Sequence, residues 1–399
     1  MKPIFRAEQG AIVYYTAEGK RGYLLGQGLK SLFRWIKYGE SDDVIQMLSQ
    51  QGILQEEDKD KLHLLLKKCT KIESPPYSLV YPEQMQVELT TRCPLRCPQC
   101  YCDLNGKDLA KEVLFKFLRQ AAWLDIPYIS LSGGEPLIYP HLLETIAYIR
   151  DLGMISALAT SGVGLQTNFL TDIKNAGLND LYISLNGSTR EIHGRSRDAY
   201  DETLAAMQLL KATNTTYYIN WVARDDNVVD FPNVVKLAKE LGAKQIVILV
   251  LKSDASYKSE SYLKEESFCR LAGFLENYQD PGLPVIVESC FANLLAYLNR
   301  HKPPIKVGCE AGRLIMSLNA NGQFSPCRHI PQLEENQSIQ DYWYNSEVLQ
   351  QLRNTINNLN QPCSDCKLQA FCHPCRGSSI KEQQQLAAGS QHCVVHKRV

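Results

Sequence analysis

Between residues 85 and 251 the chain alternates short β-branched runs with amphipathic stretches. MQVEL, YISL, ISALAT, LYISL, YYINWV and IVILVL read as strands, and helical periodicity runs over 113–124, after Pro140, before Gly177, over 202–211 and over 234–241. Few folds accept that order. Six strands joined by helical crossovers predict a parallel α/β sheet with right-handed connections, each strand buried on both faces, open or closed as a barrel. Ligand chemistry is then expected at the C-terminal ends of the strands.

The flanks differ. Residues 11–15 and 23–25 read as short strands ahead of LKSLFRWI, DDVIQMLSQQ and DKDKLHLLLKKC, a small winged-helix-like α+β module over residues 1–80 that ends in the proline-paired linker KIESPPYSLVYPEQ. The barrel is expected over 81–300. Residues 301–399 lose the rhythm, become rich in Cys, Asn and Gln, and are expected to need metal to fold. Lys plus Arg (43) equals Asp plus Glu (43), so no global field favours nucleic acid or an anionic membrane. The longest aliphatic run, residues 246–251, is too short to cross a bilayer, and MKPIFRAEQG lacks the apolar core of a secretory signal, so a cytoplasmic chain without membrane or nucleic-acid partners is expected. Fourteen cysteines are too few for a disulfide scaffold and many for a reducing compartment, which points to metal.

TTRCPLRCPQCYC follows the first barrel strand and sets Cys93, Cys97 and Cys100 in a C-x3-C-x2-C array. Three thiolates hold three irons of a [4Fe-4S] cube and leave the fourth open to another ligand. Zinc is the alternative, and it needs a fourth protein ligand, for which Cys102 is nearest. SGGEP at 132–136 follows the second strand, where the bland reading is a turn. ATSG and SLNG end the third and fourth.

The cysteine array with SGGEP on barrel strands resembles the radical S-adenosylmethionine (SAM) superfamily. The resemblance implies an α/β fold built as a partial (β/α)6 TIM-type barrel, with SAM chelated on the open iron. It further implies that Gly133 and Gly134 permit close backbone approach and that Glu135 receives the methionyl amino group. Ser184 and Asn186, the latter replacing a commoner acid, would lie by the ribose; Arg197, with Arg195 two residues before it, would meet the carboxylate. Gln99 stands where an aromatic residue usually contacts adenine, leaving that contact to its backbone or to Tyr101.

Farther on, Cys309, Gly322 and Cys327 give C-x12-G-x4-C, and Cys363, Cys366, Cys372, Cys375 and Cys393 give C-x2-C-x5-C-x2-C and a distant last cysteine. This resembles the SPASM extension of radical SAM enzymes, although the spacing from Cys372 to Cys375 is one residue short. The resemblance implies two auxiliary Fe-S clusters. Cys363, Cys366, Cys372 and Cys393 would close one; Cys309, Cys327 and Cys375 would hold the other, with Cys290, Glu310, His329 or the substrate as fourth ligand. A zinc ribbon on the two CxxC pairs leaves three cysteines unexplained. Cys69, Cys102, Cys269 and Cys290 are most simply small core hydrophobes.

Functionally the resemblance implies an oxidoreductase. A one-electron reductant such as flavodoxin or ferredoxin drives cleavage of SAM to a 5'-deoxyadenosyl radical, which forms a thioether or carbon-carbon cross-link in a ribosomally synthesised precursor peptide. The N-terminal module resembles leader-binding modules of such maturases, which capture the leader as an added edge strand. A formylglycine-generating maturase is the alternative enzyme. A non-catalytic Fe-S or zinc scaffold is the alternative of another class, and SGGEP argues against it.

Overall fold

A computed structural model describes residues 3–16, 21–252 and 262–395. The chain opens with an antiparallel sheet of β1 (Ile4–Glu8), β2 (Ala11–Tyr15) and β3 (Arg21–Leu25), in that order, followed by α1 (Gly26–Tyr38), α2 (Asp43–Gln50) and α3 (Lys59–Cys69). Phe5, Ile12, Leu24, Leu32, Ile45 and Leu62 form its own core. β1 escaped sequence reading because IFRAE carries two charges. Both are buried and satisfied: Arg6 pairs with Glu8 and donates to the carbonyls of Tyr81 and Pro82, while Glu8 accepts from the Val80 N–H at 2.8 Å. The linker thus covers the β1 side of the module, and β3 keeps a free edge among the described residues.

The six expected strands are β4 (Gln84–Thr90), β5 (Tyr128–Gly133), β6 (Ile155–Thr160), β7 (Asp180–Ser184), β8 (Tyr218–Ala223) and β9 (Ile246–Val250), parallel and adjacent in chain order. The helices Lys111–Trp123, Leu142–Asp151, Thr167–Ala176, Tyr200–Ala212 and Phe231–Glu240 lie in the crossovers. Three strands extend the sheet: β10 (Val285–Val287) parallel to β9, and on the opposite edge β12 (Ile315–Leu318) parallel to β4 with β13 (Phe324–Ser325) antiparallel beyond it. β11 (Val307–Gly308) pairs with β14 (Cys372–His373). The two outer strands of the nine do not meet, so the barrel is open.

The strands are not packed on both faces. Along β4, Met85, Val87 and Leu89 join the helix-side core, whereas Gln84 and Gln86 line a central cavity. The same alternation puts Leu181 and Ile183 outward with Asp180, Tyr182 and Ser184 inward, and Ile219 and Trp221 outward with Asn220 inward. A parallel strand with a polar inner face has a ligand space to line rather than an apolar layer to fill. The N-terminal module abuts the lower end of this space, where Arg21 and Tyr15 hydrogen-bond Glu83 and the Tyr15 ring meets Tyr128 edge-on at 5.6 Å.

The C-terminal region is better ordered than its composition suggests. The helices Ile339–Asn345 and Glu347–Asn354 bury Tyr342, Trp343 and Leu349 in the barrel's own core, and Phe324 meets Phe117 at 4.7 Å. Aromatic anchors on short helices leave too few turns for periodicity to register in the sequence.

Candidate active site

The loop after β4 carries Cys93, Cys97 and Cys100, and all three thiols face a cavity of about 680 Å³ at the C-terminal ends of the strands. The end of β5 lies directly on that loop. Gly134 N–H donates to Thr90 O at 2.7 Å and Glu135 N–H to Arg92 O at 2.9 Å. A Cβ on Gly133 would stand 2.3 Å from Thr90 O, and one on Gly134 2.2 Å from Arg92 O. The two glycines therefore seat the SGGEP turn against the cysteine loop, a contact no larger residue allows. From the other side, Asp198 accepts the Arg96 N–H at 2.7 Å and points its own N–H at Cys97 Sγ at 3.5 Å.

Cys102 is no core filler. Its thiol faces the same cavity and approaches Gly133 O at 3.4 Å, and its hydrogen bond to Cys100 lowers the Cys100 thiol to about 6. Three cysteines on one cavity wall, the last readily ionised, fit a cluster with one iron facing open space.

Glu135 is buried and lines the cavity. Its carboxylate accepts from Leu137 N–H at 3.1 Å and Thr160 Oγ1 at 2.5 Å on one oxygen, and from Ser161 N–H at 2.9 Å and the Ser161 hydroxyl on the other. Two of these donors are hydroxyls, which can rotate to accept from an incoming ammonium while the carboxylate takes its charge-assisted bond. The ATSG segment thus orients the acid.

Ser184, Asn186 and Arg197 also line the cavity. Asn186 is largely committed to the scaffold: Nδ2 donates to Ser196 Oγ at 2.9 Å and Oδ1 accepts the Val222 N–H at 3.0 Å, tying β7 to β8. Arg197 lies close enough to Cys100 to stabilise its thiolate, whereas Arg195 is turned away to Glu191 and the Asp226 carbonyl. Tyr101 points toward the C-terminal region, its ring 4.2 Å from that of His329.

The C-terminal thiols fall into two sets. Cys363, Cys366, Cys372 and Cys393 surround a small, mostly apolar cavity and interact with one another, and burial pushes Cys372 well up. In the second set, β11 beside β14 brings Cys309 near Cys375; the Cys309 N–H donates to His373 O at 2.9 Å. Cys290 completes it. Its thiol interacts with those of Cys309 and Cys375, and Cys327 interacts with Cys375. Of the other candidate fourth ligands, Glu310 is a cavity carboxyl pushed up to about 7 by burial, and His329 is held neutral by burial and by Lys252 and Arg328. Cys290 lies in an unremarkable VESCFAN stretch far from the motif, and only its extra cysteine signalled it. Among the described residues no three His, Cys, Asp or Glu groups are gathered tightly enough for a single ion.

Comparison with known proteins agrees with that chemistry. Residues 87–251 match the radical SAM superfamily, and residues 309–367 match SPASM, an iron-sulfur cluster-binding domain. The chain thus carries a radical SAM domain followed by a SPASM domain. Its radical SAM domain binds a [4Fe-4S] cluster and SAM, and its SPASM domain binds auxiliary Fe-S clusters. An AdoMet-dependent heme synthase of Methanosarcina barkeri is 24% identical over 78% of this chain and 96% of its own length. A PqqA peptide cyclase of Methylorubrum populi is 27% identical over 74% of this chain and 80% of its own. In fold, SuiB of Streptococcus suis bound to SAM superposes with a TM-score of 0.76 at 17% identity, covering 98% of this radical SAM chain and 99% of SuiB; SuiB has also been solved bound to the precursor peptide SuiA. Among the described residues no helix is long and apolar enough to cross a membrane.

Proposed function

We propose that this chain is a peptide maturase that installs a thioether or carbon-carbon cross-link in a ribosomally synthesised precursor. When bound, the first cluster and SAM supply a 5'-deoxyadenosyl radical able to remove an unactivated hydrogen. Cys93, Cys97 and Cys100 hold that cluster, Glu135 takes the SAM ammonium with Thr160 and Ser161 orienting it, and Arg197 takes the carboxylate beside Ser184. The residues support two auxiliary cubanes. Cys363, Cys366, Cys372 and Cys393 hold one, and Cys290, Cys309, Cys327 and Cys375 hold the other with every corner filled. A fully ligated cluster has no corner for a substrate thiolate, so this one passes on the electron left by the peptide step.

The observation that carries the peptide reading is the open edge of β3, with Tyr23 and Leu25 exposed along it, on a module seated at the lower mouth of the cavity. A leader added there as a fourth strand gains main-chain hydrogen bonds and delivers its core segment to the barrel. SuiB, solved with its precursor, matches this chain over that module as well as the rest. We assign residues 1–80 to leader binding, 81–300 to the partial barrel and 301–399 to the auxiliary clusters, with Cys290 reaching across the second boundary. A flavodoxin or ferredoxin as electron donor and a cytosolic setting suit a chain whose described cysteines form no disulfide.

Anaerobically reconstituted protein incubated with SAM, dithionite and its precursor peptide should release 5'-deoxyadenosine and yield a peptide lighter by two hydrogens. No 5'-deoxyadenosine under those conditions would leave the scaffold reading in its place.

A further inference from the structure

Arg328 follows Cys327 directly and reaches back across the cavity wall to the turn that carries Glu135. Its Nη1 donates to Ser132 Oγ at 2.9 Å and to Tyr101 OH at 3.4 Å, and its backbone N–H to Gln86 Oε1 at 3.3 Å. Nε and Nη2 have no protein acceptor among the described residues, and neither is sealed from the cavity. These two nitrogens form one edge of the guanidinium, whose paired N–H groups match a carboxylate. This chain shows the edge in use: Arg92 presents Nε and Nη2 to Asp108 at 2.9 and 2.8 Å, and Arg224 presents them to Asp226 at 2.9 and 3.0 Å. Elsewhere, the buried Arg6 is spent on Glu8, and Arg376 on the carbonyls of Pro374, Leu386 and Ala388. Arg376 likewise meets only neutral groups but engages Nε, Nη1 and Nη2, and Arg353, whose Nη1 and Nη2 lack partners, lies over the Trp343 ring away from the cavity; Arg328 faces the cavity with Nη1 alone engaged. The nearby acid, Glu88, accepts the Ala320 N–H at 3.2 Å and feels Arg328 only beyond ion-pair contact distance.

We propose that Arg328 is a substrate-binding residue that grips a carboxylate of the peptide between the SAM wall and the Cys290 thiol set. A guanidinium edge that faces a cavity and meets no carboxylate at hydrogen-bond distance favours an anionic ligand there. SAM's own carboxylate is assigned above to Arg197, which leaves the substrate as the source. This inference rests on the peptide reading above. It extends that reading to a substrate class, a peptide with an acidic side chain or its own C-terminal carboxylate at the reacting segment.

Three probes test it on the reconstituted full chain with SAM: acetyl-Ala-Glu-Ala-amide, acetyl-Ala-Ala-Ala with a free C-terminus, and acetyl-Ala-Gln-Ala-amide, titrated calorimetrically under nitrogen. One of the acids should bind about tenfold or more tightly than the glutamine peptide, and which acid wins names the source. Arg328→Gln should erase the difference and Arg328→Lys retain part of it, with SAM affinity and iron content unchanged. Equal or unmeasurable binding of all three by wild type overturns the proposal, even if Arg328→Gln fails to fold. So does a loss that falls on SAM affinity or iron, which would make Arg328 a SAM contact or a counter-charge for the clusters. Failure of the peptide reading is distinguishable: the precursor would stay unmodified while carboxylate discrimination persisted.

Discussion

The cysteine loop after β4 and the thiol set around Cys290 face one cavity and differ in how they are closed. In the loop, Cys93, Cys97 and Cys100 are only half-buried, contribute three thiols, and include one held at about 6 chiefly by Cys102. In the other set Cys309, Cys327 and Cys375 are buried, four thiols crowd together, and burial pushes Cys327 up to about 11. On the proposed assignment the first arrangement admits a ligand to an iron, while the second is filled and its thiolates depend on the metal. The two groups would then serve chemistry and electron transfer respectively, and the distinction rests on one additional cysteine.

The largest effect that bears on this contrast is expected from replacing Cys93, Cys97 and Cys100 together by alanine. Formation of 5'-deoxyadenosine should vanish, and iron should fall by about four of roughly twelve atoms per chain, the complement of three cubanes. Cys290→Ala is the sharper test. It should also remove about four irons and abolish peptide product while SAM cleavage persists; an unchanged iron count would break the comparison and make the second set as open as the first. The pair Cys363→Ala/Cys366→Ala should behave like Cys290→Ala in product analysis.

Smaller effects sharpen the open end of the contrast. Glu135→Gln should weaken SAM binding by about tenfold, the loss of one charge-assisted hydrogen bond, with iron content intact. Equal SAM affinity would reduce SGGEP to a turn packed on the cysteine loop. Removing residues 1–75 should weaken precursor binding several-fold and leave peptide-free SAM cleavage nearly intact, because the module touches the lower mouth of the cavity and not the cysteine wall. Equal precursor affinity would assign the module to stability through its Arg6–Glu8 and Arg21–Glu83 contacts.

The barrel strands were legible because each is a local run: the six expected from pattern are β4 to β9, found in that order. The flanking strands were not. β1 hides its identity behind Arg6 and Glu8, whose charges are answered only by linker residues more than seventy positions away. β12 and β13 are too short to read alone and become strands by joining the edge left by β4. At the site, Cys93, Cys97, Cys100 and Glu135 announce themselves by spacing and by the strand each follows. Thr160 and Ser161 do not, since ATSG is unexceptional until the fold places it under Glu135.

The amino-acid sequence by itself determined the alternation of strands and helices, the spacing of ten cysteines and the turn chemistry of SGGEP, because propensity, period and short-range spacing are properties of neighbouring residues. Only the tertiary structure decided that Gly133 and Gly134 serve the approach of two backbones, that Arg197 rather than Arg195 faces the cavity, that Cys290 joins Cys309 and Cys375, and that one edge of Arg328 is left unpaired. Each of these depends on groups remote in the chain and adjacent in space. Proximity of that kind is fixed by the packing of helices on the sheet and by the C-terminal strands closing on β4, and no local pattern encodes it.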